Sequence, residues 1–305
     1  MATYLIRRTL ALIPIWIGVS FIAFLLVHAI PGGPFDTGAI RSRQATENLV
    51  HLYHLDKPLL EQYVLYIWQV LHGNLGESMV SRGLSVTDVI RGRFPTSAEL
   101  GAAALAVSLA VGVLAGIVAA VRRNGWLDHA VMLTATIGYA IPNFVFALIL
   151  ILVFGLSLHL LPLGGWGSLS DVPLPAIALG LPWAGLVARM TRATMIDALS
   201  RDYMRTAYAK GLSPIAATLR HGFRNALIPL TTLVALLAAE VITGSLIIEN
   251  IFGIPGIGHY MVDSILGADY TMTLGFVIFY ATTIFVANFL VDVSYGWIDP
   301  RIRVE

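Results

Sequence analysis

Cysteine is absent from this chain of 305 residues, which excludes disulfide bonds and thiolate metal sites. Charge is also scarce, because Asp, Glu, Lys and Arg make up 12% of the residues, against about 25% in a typical soluble domain. Hydrophobic residues make up 57%, and the mean hydropathy is +0.79. The composition therefore predicts a membrane protein. The net charge of +1 gives no sign of a nucleic-acid partner, and none is predicted.

Lysine occurs only twice, as Lys57 in LDKPL and Lys210 in YAKGL. Neither lysine ends a G-x-x-x-x-G-K-[ST] run, so the chain has no phosphate-binding loop of its own. We also find no H-E-x-x-H, no G-x-S-x-G and no paired acid–base motif. His51 and His54 could chelate a metal if both lay on one helix, but two solvated loop histidines are the simpler interpretation. We therefore expect no enzyme activity, metal or cofactor in this chain, and a partner would supply the energy for any pumping.

Six stretches are apolar enough to cross a bilayer, for which a helix needs about 20 apolar residues. The first has 22 residues, longer than the roughly 7–15 of a signal-peptide core, so we interpret it as a retained span. We find no internal repeat of the kind from which many secondary transporters are built. The prediction is an all-α polytopic fold with six transmembrane helices. They are Thr9–Ile30, Leu100–Val121, Ala130–Leu158, Val172–Ala188, Asn225–Ile248 and Tyr270–Val291.

The distribution of basic residues predicts the orientation, because cytoplasmic segments are enriched in Lys and Arg. If the N-terminus is inside, the segments 159–171 and 249–269 are outside and contain no Lys or Arg. Both termini are therefore predicted to be cytoplasmic, in the plasma (inner) membrane of a bacterium. The inside segments would hold Arg7, Arg8, Arg122, Arg123, Arg189, Arg192, Arg201, Arg205, Lys210, Arg220, Arg224, Arg301 and Arg303.

The long segment after the first span is predicted to lie outside the membrane. Its beginning, PGGPFDTG, predicts a turn, and Leu59–Leu71 has the periodicity of an amphipathic helix that HGNLGES ends. It is too short for an independent enzyme domain, so we expect it to cover the spans or receive a partner. The predicted regions are 1–30 (cytoplasmic end and first span), 31–95 (extracytoplasmic), 96–295 (five-helix permease domain with a coupling loop at 198–225) and 296–305 (cytoplasmic tail).

Two features of the later spans point to close packing and to a pathway. The second span has a small residue at every fourth position, which favours close helix contact, either within the chain or with a second subunit. The third span is interrupted at Gly138 and Pro142 in TIGYAIPNF, and broken helices are tolerated where they line a cavity or pack on protein. We place Pro142 and Asn143 on a substrate path. The small residues are Ala104, Ser108, Gly112, Gly116 and Ala120.

The segment 201–229 is basic, nearly free of acid and predicted to lie in the cytoplasm. A short helix from Tyr203 to about Lys210 is expected to end at Gly211, a residue suited to a C-terminal cap. Ser213 can cap a second helix whose first position is Pro214. Such a helix–Gly–helix would be a rigid lever. The alternative is a solvated basic loop, which explains the charges but not the ordered capping.

This segment resembles the EAA loop of ABC-importer permeases, in the form found in the peptide/nickel permease family. The resemblance extends over essentially the whole chain and includes HAIPGGPFD, YHLDKPLLEQY, LLPLGGWG, GSLIIENIFGIPGIG and DPRIR. The PGGPFD, LLPLGGWG and FGIPGIG motifs are most similar to the oligopeptide permeases of the family. Only Tyr208 departs from the loop pattern, since the family commonly has Arg there. The matching loop residues are Asp202, Tyr203, Arg205, Thr206, Ala207, Ala209, Lys210, Gly211, Leu212, His221, Asn225, Ala226 and Pro229.

The resemblance implies a type I importer permease that pairs with a second, homologous permease subunit. It also implies two cytoplasmic ABC ATPases, which use ATP and Mg, and a periplasmic or lipid-anchored peptide-binding protein. In the family, the short helix of the loop docks into a groove on the ATPase, which corresponds here to about Tyr203–Gly211. We expect the small Ala207 and Gly211 to permit close approach to that partner. The coupling residues implied are Asp202, Tyr203, Arg205, Thr206, Ala207, Lys210, Gly211 and Leu212.

Glu240 is the one acid within the predicted fifth span, where relatives commonly have a small residue. A carboxylate at this depth costs about 2.5–3.5 kcal/mol and usually faces a bundle interior or a cavity. We hypothesise that Glu240 lines the path and favours cationic peptides; the alternative is a protonated or hydrogen-bonded carboxyl with no role in selection. Asn288 and Asp292 are expected to pair with Arg189 and Arg192. Dipeptides, glutathione, an antimicrobial peptide or nickel remain alternative substrates, and a stand-alone secondary transporter is the alternative class.

Overall fold

A computed structural model describes residues 2–30, 35, 43–81, 83–242 and 246–298. Helices form almost all of this part of the chain, in agreement with the predicted all-α class. The helices are α1 (Ala2–His28), α2 (Arg43–Leu52), α3 (Leu59–Leu71), α4 (Val86–Val121), α5 (Trp126–Ala140), α6 (Asn143–Leu150), α7 (Pro173–Ser200), α8 (Asp202–Ala209), α9 (Pro214–Ala217), α10 (Arg224–Ile242), α11 (Leu246–Ile251), α12 (Ile257–Leu266) and α13 (Tyr270–Ile298). π-Helical turns follow α6 at Ile151–Ser157 and α9 at Thr218–Phe223, and a 3₁₀ turn at Leu169–Asp171 precedes α7.

Four helical stretches in the described residues are long and apolar enough to cross a membrane, and a bent pair of helices makes up to five. The long stretches are Leu10–His28, Val86–Val121, Leu169–Ser200 and Tyr270–Leu290. The predicted span Asn225–Ile248 contains α10, in which Pro229–Ala238 is a shorter apolar helix. The chain is therefore a multi-span helical membrane protein, and the described residues support four or five of the six predicted spans.

The third predicted span, Ala130–Leu158, is sharply broken rather than continuous. Helix α5 ends at Ala140, Ile141 is extended, and Pro142 precedes α6 in a non-helical conformation. The chain bends by 102° between the two arms, Trp126–Ala140 and Asn143–Ser157. Because proline lacks an N–H and disfavours helix in the residue before it, the break falls where the sequence places Pro142.

The chain divides into two compact units, which we describe separately. The central unit contains Thr96–Pro255 and Val286–Glu305, and the N-terminal unit contains Ala2–Pro95 and Gly256–Phe285. The turn predicted for PGGPFD falls almost wholly outside the described residues.

In the central unit, the small residues of α4 pack against α7. A Cβ atom added to Gly112 would lie 2.7 Å from the Ala184 carbonyl oxygen, and one added to Gly116 would lie 2.6 Å from that of Ala188. Ser108 Oγ donates a hydrogen bond of 2.6 Å to the Gly180 carbonyl oxygen. The small residues of α4 therefore allow close packing within the chain, which is one of the two interpretations of this pattern.

A second contact in the central unit joins the segment after α6 to the end of α11. The Gly165 N–H donates to the Phe252 carbonyl oxygen at 2.7 Å, and a Cβ atom at Gly164 would lie 2.5 Å from that oxygen. Phe252 is buried in a cluster with Leu174, Ile248 and Ile254. Glu249, at the start of the segment 249–269 that is predicted to lie outside, is a fully buried residue of α11.

In the N-terminal unit, α3 packs against α1. The Tyr63 hydroxyl lies 2.8 Å from Ser20 Oγ and 3.2 Å from the Ile17 carbonyl oxygen. The Tyr63 ring lies 5.0 Å from the ring of Phe21 and 5.5 Å from that of Phe24, in edge-to-face arrangements. Helix α3 has the bounds that the sequence predicted, and its amphipathic character places Tyr63 on the buried side.

The start of α13 is fixed in the same unit by the buried side chain of Asp269. Its carboxylate accepts hydrogen bonds from Ser78 Oγ and from the backbone N–H groups of Met79 and Met272. A carboxylate near a helix N-terminus satisfies N–H groups that have no partner in the helix. The loop around Ser78 is therefore tied to the beginning of α13.

Candidate functional site

The candidate site is the segment between α7 and α10, and its local structure agrees with the predicted capping. Helix α8 begins after Arg201, which is extended, and ends at Lys210; Gly211 then has a φ of +82°. Glycine has no Cβ atom that would clash at a positive φ, which explains why a glycine follows the end of this helix. Ser213 Oγ accepts a hydrogen bond from the Ala216 N–H at 3.3 Å, and Pro214 opens α9. The predicted helix–Gly–helix is therefore present.

One side of α8 is buried against its own chain. Met204 and Ala207, which are 1% and 3% exposed, form a cluster with the fully buried Ala217 of α9. Leu199 of α7 and the half-buried Leu212 pack against the same cluster. Ala207 therefore permits a close approach to α9 of this chain, while its predicted role in docking on an ATPase stays a prediction. Since a larger side chain would separate α8 from α9, Ala207 fixes the shape of the segment.

The other sides of α8 are exposed and mostly polar. The side chains of Asp202 and Arg205 are 97% and 88% exposed, and their closest N–O distance is 3.9 Å. Arg201 is held by Asp197 of α7 through contacts of 2.8 and 2.9 Å, also in solvent. The guanidinium of Arg201 has a raised pKa because it donates hydrogen bonds to the Asp197 carboxylate. The predicted coupling residues on this surface are Asp202, Tyr203, Arg205, Thr206, Lys210 and Gly211.

A groove lies beside α8, between the part of the motif that contains Tyr203 and the part that contains Asn225. This cavity of about 480 Å³ is lined by residues of α7 and α10 together with Arg201 and Tyr203. Partial burial raises the pKa of the Tyr203 phenol, which also has a side-chain hydrogen bond to Asn225. Asn225 Nδ2 in turn donates to the His221 carbonyl oxygen at 2.7 Å. The lining includes Met190, Thr194, Asp197, Arg201, Asn225, Ala226 and Pro229.

The three residues predicted for the substrate path lie in two places in the central unit. Pro142 and Asn143 lie at the break between α5 and α6, where Pro142 is exposed and Asn143 half-buried. Glu240 lies near the end of α10 and is exposed. Two apolar cavities of about 190 and 200 Å³ lie along α5 and α7, but none of the three residues is among those that line them. The described residues thus do not unite these three into one site.

Two further expectations concern polar side chains. Arg192 forms an ion pair with Asp128 of α5, at 2.5 Å, a partner that the sequence did not predict. The expected pairing with Asn288 or Asp292 stays a prediction, because Asp292 lies outside the residues whose side chains are described. The Arg189 guanidinium lies 5.2 Å from the centre of the Tyr139 ring. His51 contacts Asp56 at 2.9 Å, and His54 has a φ of 57°, so the two histidines do not share a helix face. Among the described residues, no group of three or more potential ligands could hold a metal ion.

These observations define a multi-span helical membrane protein that carries a short capped helix pair, exposed and basic, between two apolar helices. The chain belongs to the family of binding-protein-dependent transport system inner membrane components, because that family model matches residues 112–304. A model for the N-terminal part of such membrane components matches residues 1–101.

Proteins with curated names match the chain over its whole length. It is 40% identical to the dipeptide transport system permease protein DppB of Bacillus subtilis, covering 100% of this chain and 99% of that protein. It is 39% identical to the oligopeptide transport system permease protein OppB of Escherichia coli K12, covering 99% and 100% respectively. The DppB protein of Lactococcus lactis is 37% identical, with 100% of both chains covered. The predicted membership in the peptide-permease family of ABC importers is therefore confirmed.

Proposed function

We propose that this chain forms half of the translocation path of an ATP-driven importer for oligopeptides, in a pair with a second, homologous permease. The observation that carries the proposal is the capped α8–α9 pair, which packs against its own chain on one side and is exposed on its other sides. A motif of this form is implied by the family resemblance to dock on an ATPase. Two cytoplasmic ATPases would use ATP and Mg, and a periplasmic or lipid-anchored binding protein would deliver the peptide.

The structure of the segment supports a mechanical role for it. Because Met204, Ala207 and Ala217 pack tightly together, a displacement of α8 would be transmitted directly to α9. Leu199 connects the same cluster to α7. Movement of a docked ATPase would therefore displace α7 and α10 together. This alternately opens the path to the two sides of the membrane, in a six-span subunit with both termini in the cytoplasm.

The exposure of Glu240 supports a path located between two permease subunits. A carboxylate at membrane depth is costly in lipid and usually faces a bundle interior or water. In the single chain this side of α10 is exposed, so a second subunit or the path itself would cover it. Pro142 and Asn143 would line the path at the break in the third span, where the helix is interrupted.

The docking role is tested by reversing one exposed charge. In Arg205→Glu, we expect the ATPase subunits to dissociate from the permease pair during purification, and uptake to fall at least tenfold. Arg123→Glu is the matched control, because Arg123 is also exposed and predicted to be cytoplasmic but lies between α4 and α5. Retention of the ATPases by Arg205→Glu, or their equal loss from Arg123→Glu, would contradict a docking role for α8.

The substrate is tested by uptake with the cognate peptide-binding protein. The motifs PGGPFD, LLPLGGWG and FGIPGIG favour oligopeptides, although the dipeptide and oligopeptide permeases are 40% and 39% identical to the chain. Peptides of two to six residues, glutathione and Ni²⁺ are offered in competition. Uptake restricted to dipeptides, glutathione or nickel would replace the oligopeptide assignment with that substrate, while uptake independent of ATP would indicate a secondary transporter.

A further inference from the structure

Helix α3 has an apolar stripe that no described residue of its own unit covers. The stripe consists of Leu60, Val64, Trp68 and Leu71, which are 66%, 58%, 63% and 69% exposed. Their spacing of four, four and three residues places them on one side of a helix. A soluble surface would not leave four large apolar side chains together in water, so a partner covers this stripe.

The position of α3 along the membrane span of α1 indicates what covers the stripe. The Tyr63 hydroxyl contacts Ser20 and Ile17, which lie within the candidate span Leu10–His28. Ser20 precedes the end of α1 by eight residues, or about 12 Å at a rise of 1.5 Å per residue. The part of α3 around Tyr63 therefore lies beside the middle of a membrane span, well below the level of His28. Val64, the next residue, is at the same depth.

The side of α1 that faces away from α3 is apolar as well. Ile22 and Leu26 are 59% and 64% exposed, as expected for a helix that faces hydrocarbon. Gln62 and Gln69 lie on a different side of α3, where they line a cavity of about 340 Å³ together with His28. Glu61, in the first turn of α3, lies beside the stripe and is paired with Lys57 at 2.7 Å. Helix α3 thus has three sides: one packed on α1 through Tyr63, one polar, and one apolar at the depth of the bilayer.

We infer that α3 is an interfacial helix, embedded obliquely in the membrane leaflet next to His28, with the Leu60–Leu71 stripe in contact with lipid acyl chains. Trp68 lies on the stripe near its C-terminal end, beside His72, whose ring is 4.5 Å away. Tryptophan is enriched at the boundary between hydrocarbon and headgroups, which fits an end that rises towards the membrane surface. This inference goes beyond transport and concerns how the chain meets the bilayer.

The experiment uses the chain's lack of cysteine, because single cysteines then carry a nitroxide label without other changes. Leu60→Cys, Val64→Cys and Leu71→Cys are labelled in the assembled transporter in phospholipid vesicles, and collision with oxygen and with a water-soluble nickel chelate is measured. Gln69→Cys, on the polar side of α3, is the water-exposed control. Leu26→Cys, on the exposed face of α1, is the lipid-exposed control. Retained ATPase subunits show that each variant is assembled.

The inference predicts that the stripe labels behave like Leu26→Cys, with a ratio of oxygen to nickel collisions several-fold above that of Gln69→Cys. Two results would overturn it. Stripe labels that collide with nickel as Gln69→Cys does would show that the stripe faces water. Labels protected from both reagents would show that a protein, such as the second permease or the binding protein, covers it. Since three positions report separately, the loss of one variant leaves the test intact.

Discussion

Asp128 of α5 and Arg192 of α7 form a two-point ion pair, with Arg192 Nε 2.5 Å from Asp128 Oδ1 and Nη2 2.6 Å from Oδ2. The Asn124 N–H also donates to the carboxylate at 2.9 Å, and the Asp128 side chain is 3% exposed. The pair joins the beginning of the broken third span to the end of α7. It is a charged contact between two of the chain's apolar helices.

Replacing Asp128 by Asn is expected to destabilise the protein, because it leaves the Arg192 guanidinium partly buried without its charge partner. Loss of a charged hydrogen-bond partner costs about 2–3 kcal/mol. The melting temperature of the purified transporter measures this. The control is Asp197→Asn, whose pair with Arg201 is more than 60% exposed on both sides and should contribute little. Equal shifts for the two variants would contradict the importance of the Asp128 pair.

Gly116→Ala should also lower the melting temperature. The new Cβ atom would lie 2.6 Å from both the Ala188 carbonyl oxygen and Thr191 Cβ, so α4 and α7 must separate. Overpacking of this kind costs about 1–3 kcal/mol. Gly138→Ala in α5 is the control, because nothing lies within 4 Å of a Cβ atom there and alanine favours helix. A Gly116→Ala protein as stable as the Gly138→Ala protein would be inconsistent with this packing.

Gly211→Val should impair transport through backbone conformation alone, since no atom lies within 4 Å of a Cβ atom at this position and φ is +82°. The left-handed region costs a residue with a Cβ atom about 1–2 kcal/mol, and asparagine less than valine. We expect peptide-stimulated ATP hydrolysis to fall more in Gly211→Val than in Gly211→Asn, with membrane insertion unchanged in both.

Gly83 provides a control for Gly211, because it has a φ of +77° and equally open surroundings but lies in the N-terminal unit. Gly83→Val carries a similar backbone cost away from the proposed ATPase contact, so its coupling should remain normal. If both valine variants lose coupling to the same extent, the effect is one of general stability rather than of the lever.

Glu240→Gln tests selection by charge. If this carboxylate lines the path, uptake of basic peptides should fall several-fold while uptake of neutral peptides changes little, because the amide keeps the size and loses the charge. Uptake is measured for matched tripeptides that differ only in one lysine. Equal loss for both peptides, or no loss for either, would show that Glu240 does not select by charge.

The sequence predicted the features that depend on local chemistry. Helix α3 has its predicted bounds, and the roles of Gly211 and Ser213 follow from the backbone preferences of those residue types. Long-range pairing could not be derived in the same way. The partner of Arg192 is 64 residues away on α5, and several acids elsewhere in the chain have the same chemistry as Asp128. In the same way, local composition does not reveal that α11 packs inward and buries Glu249.

For the candidate site, the sequence indicated which residues form the segment but not which way each one faces. The small size of Ala207 and its place in the motif predict that it contacts a partner. Its burial against Ala217 depends on the angle between α8 and α9, which no pattern of residue types in either short helix specifies.

The break at Pro142 has a consequence for the surroundings of this segment in the membrane. Each arm, Trp126–Ala140 and Asn143–Ser157, is at most about 22 Å long at 1.5 Å per residue, while the hydrocarbon layer is about 30 Å thick. Since the chain bends by 102° between the arms, neither arm alone spans that layer. A break at membrane depth exposes backbone groups without helical partners, so the segment requires protein or water, rather than lipid, around Pro142.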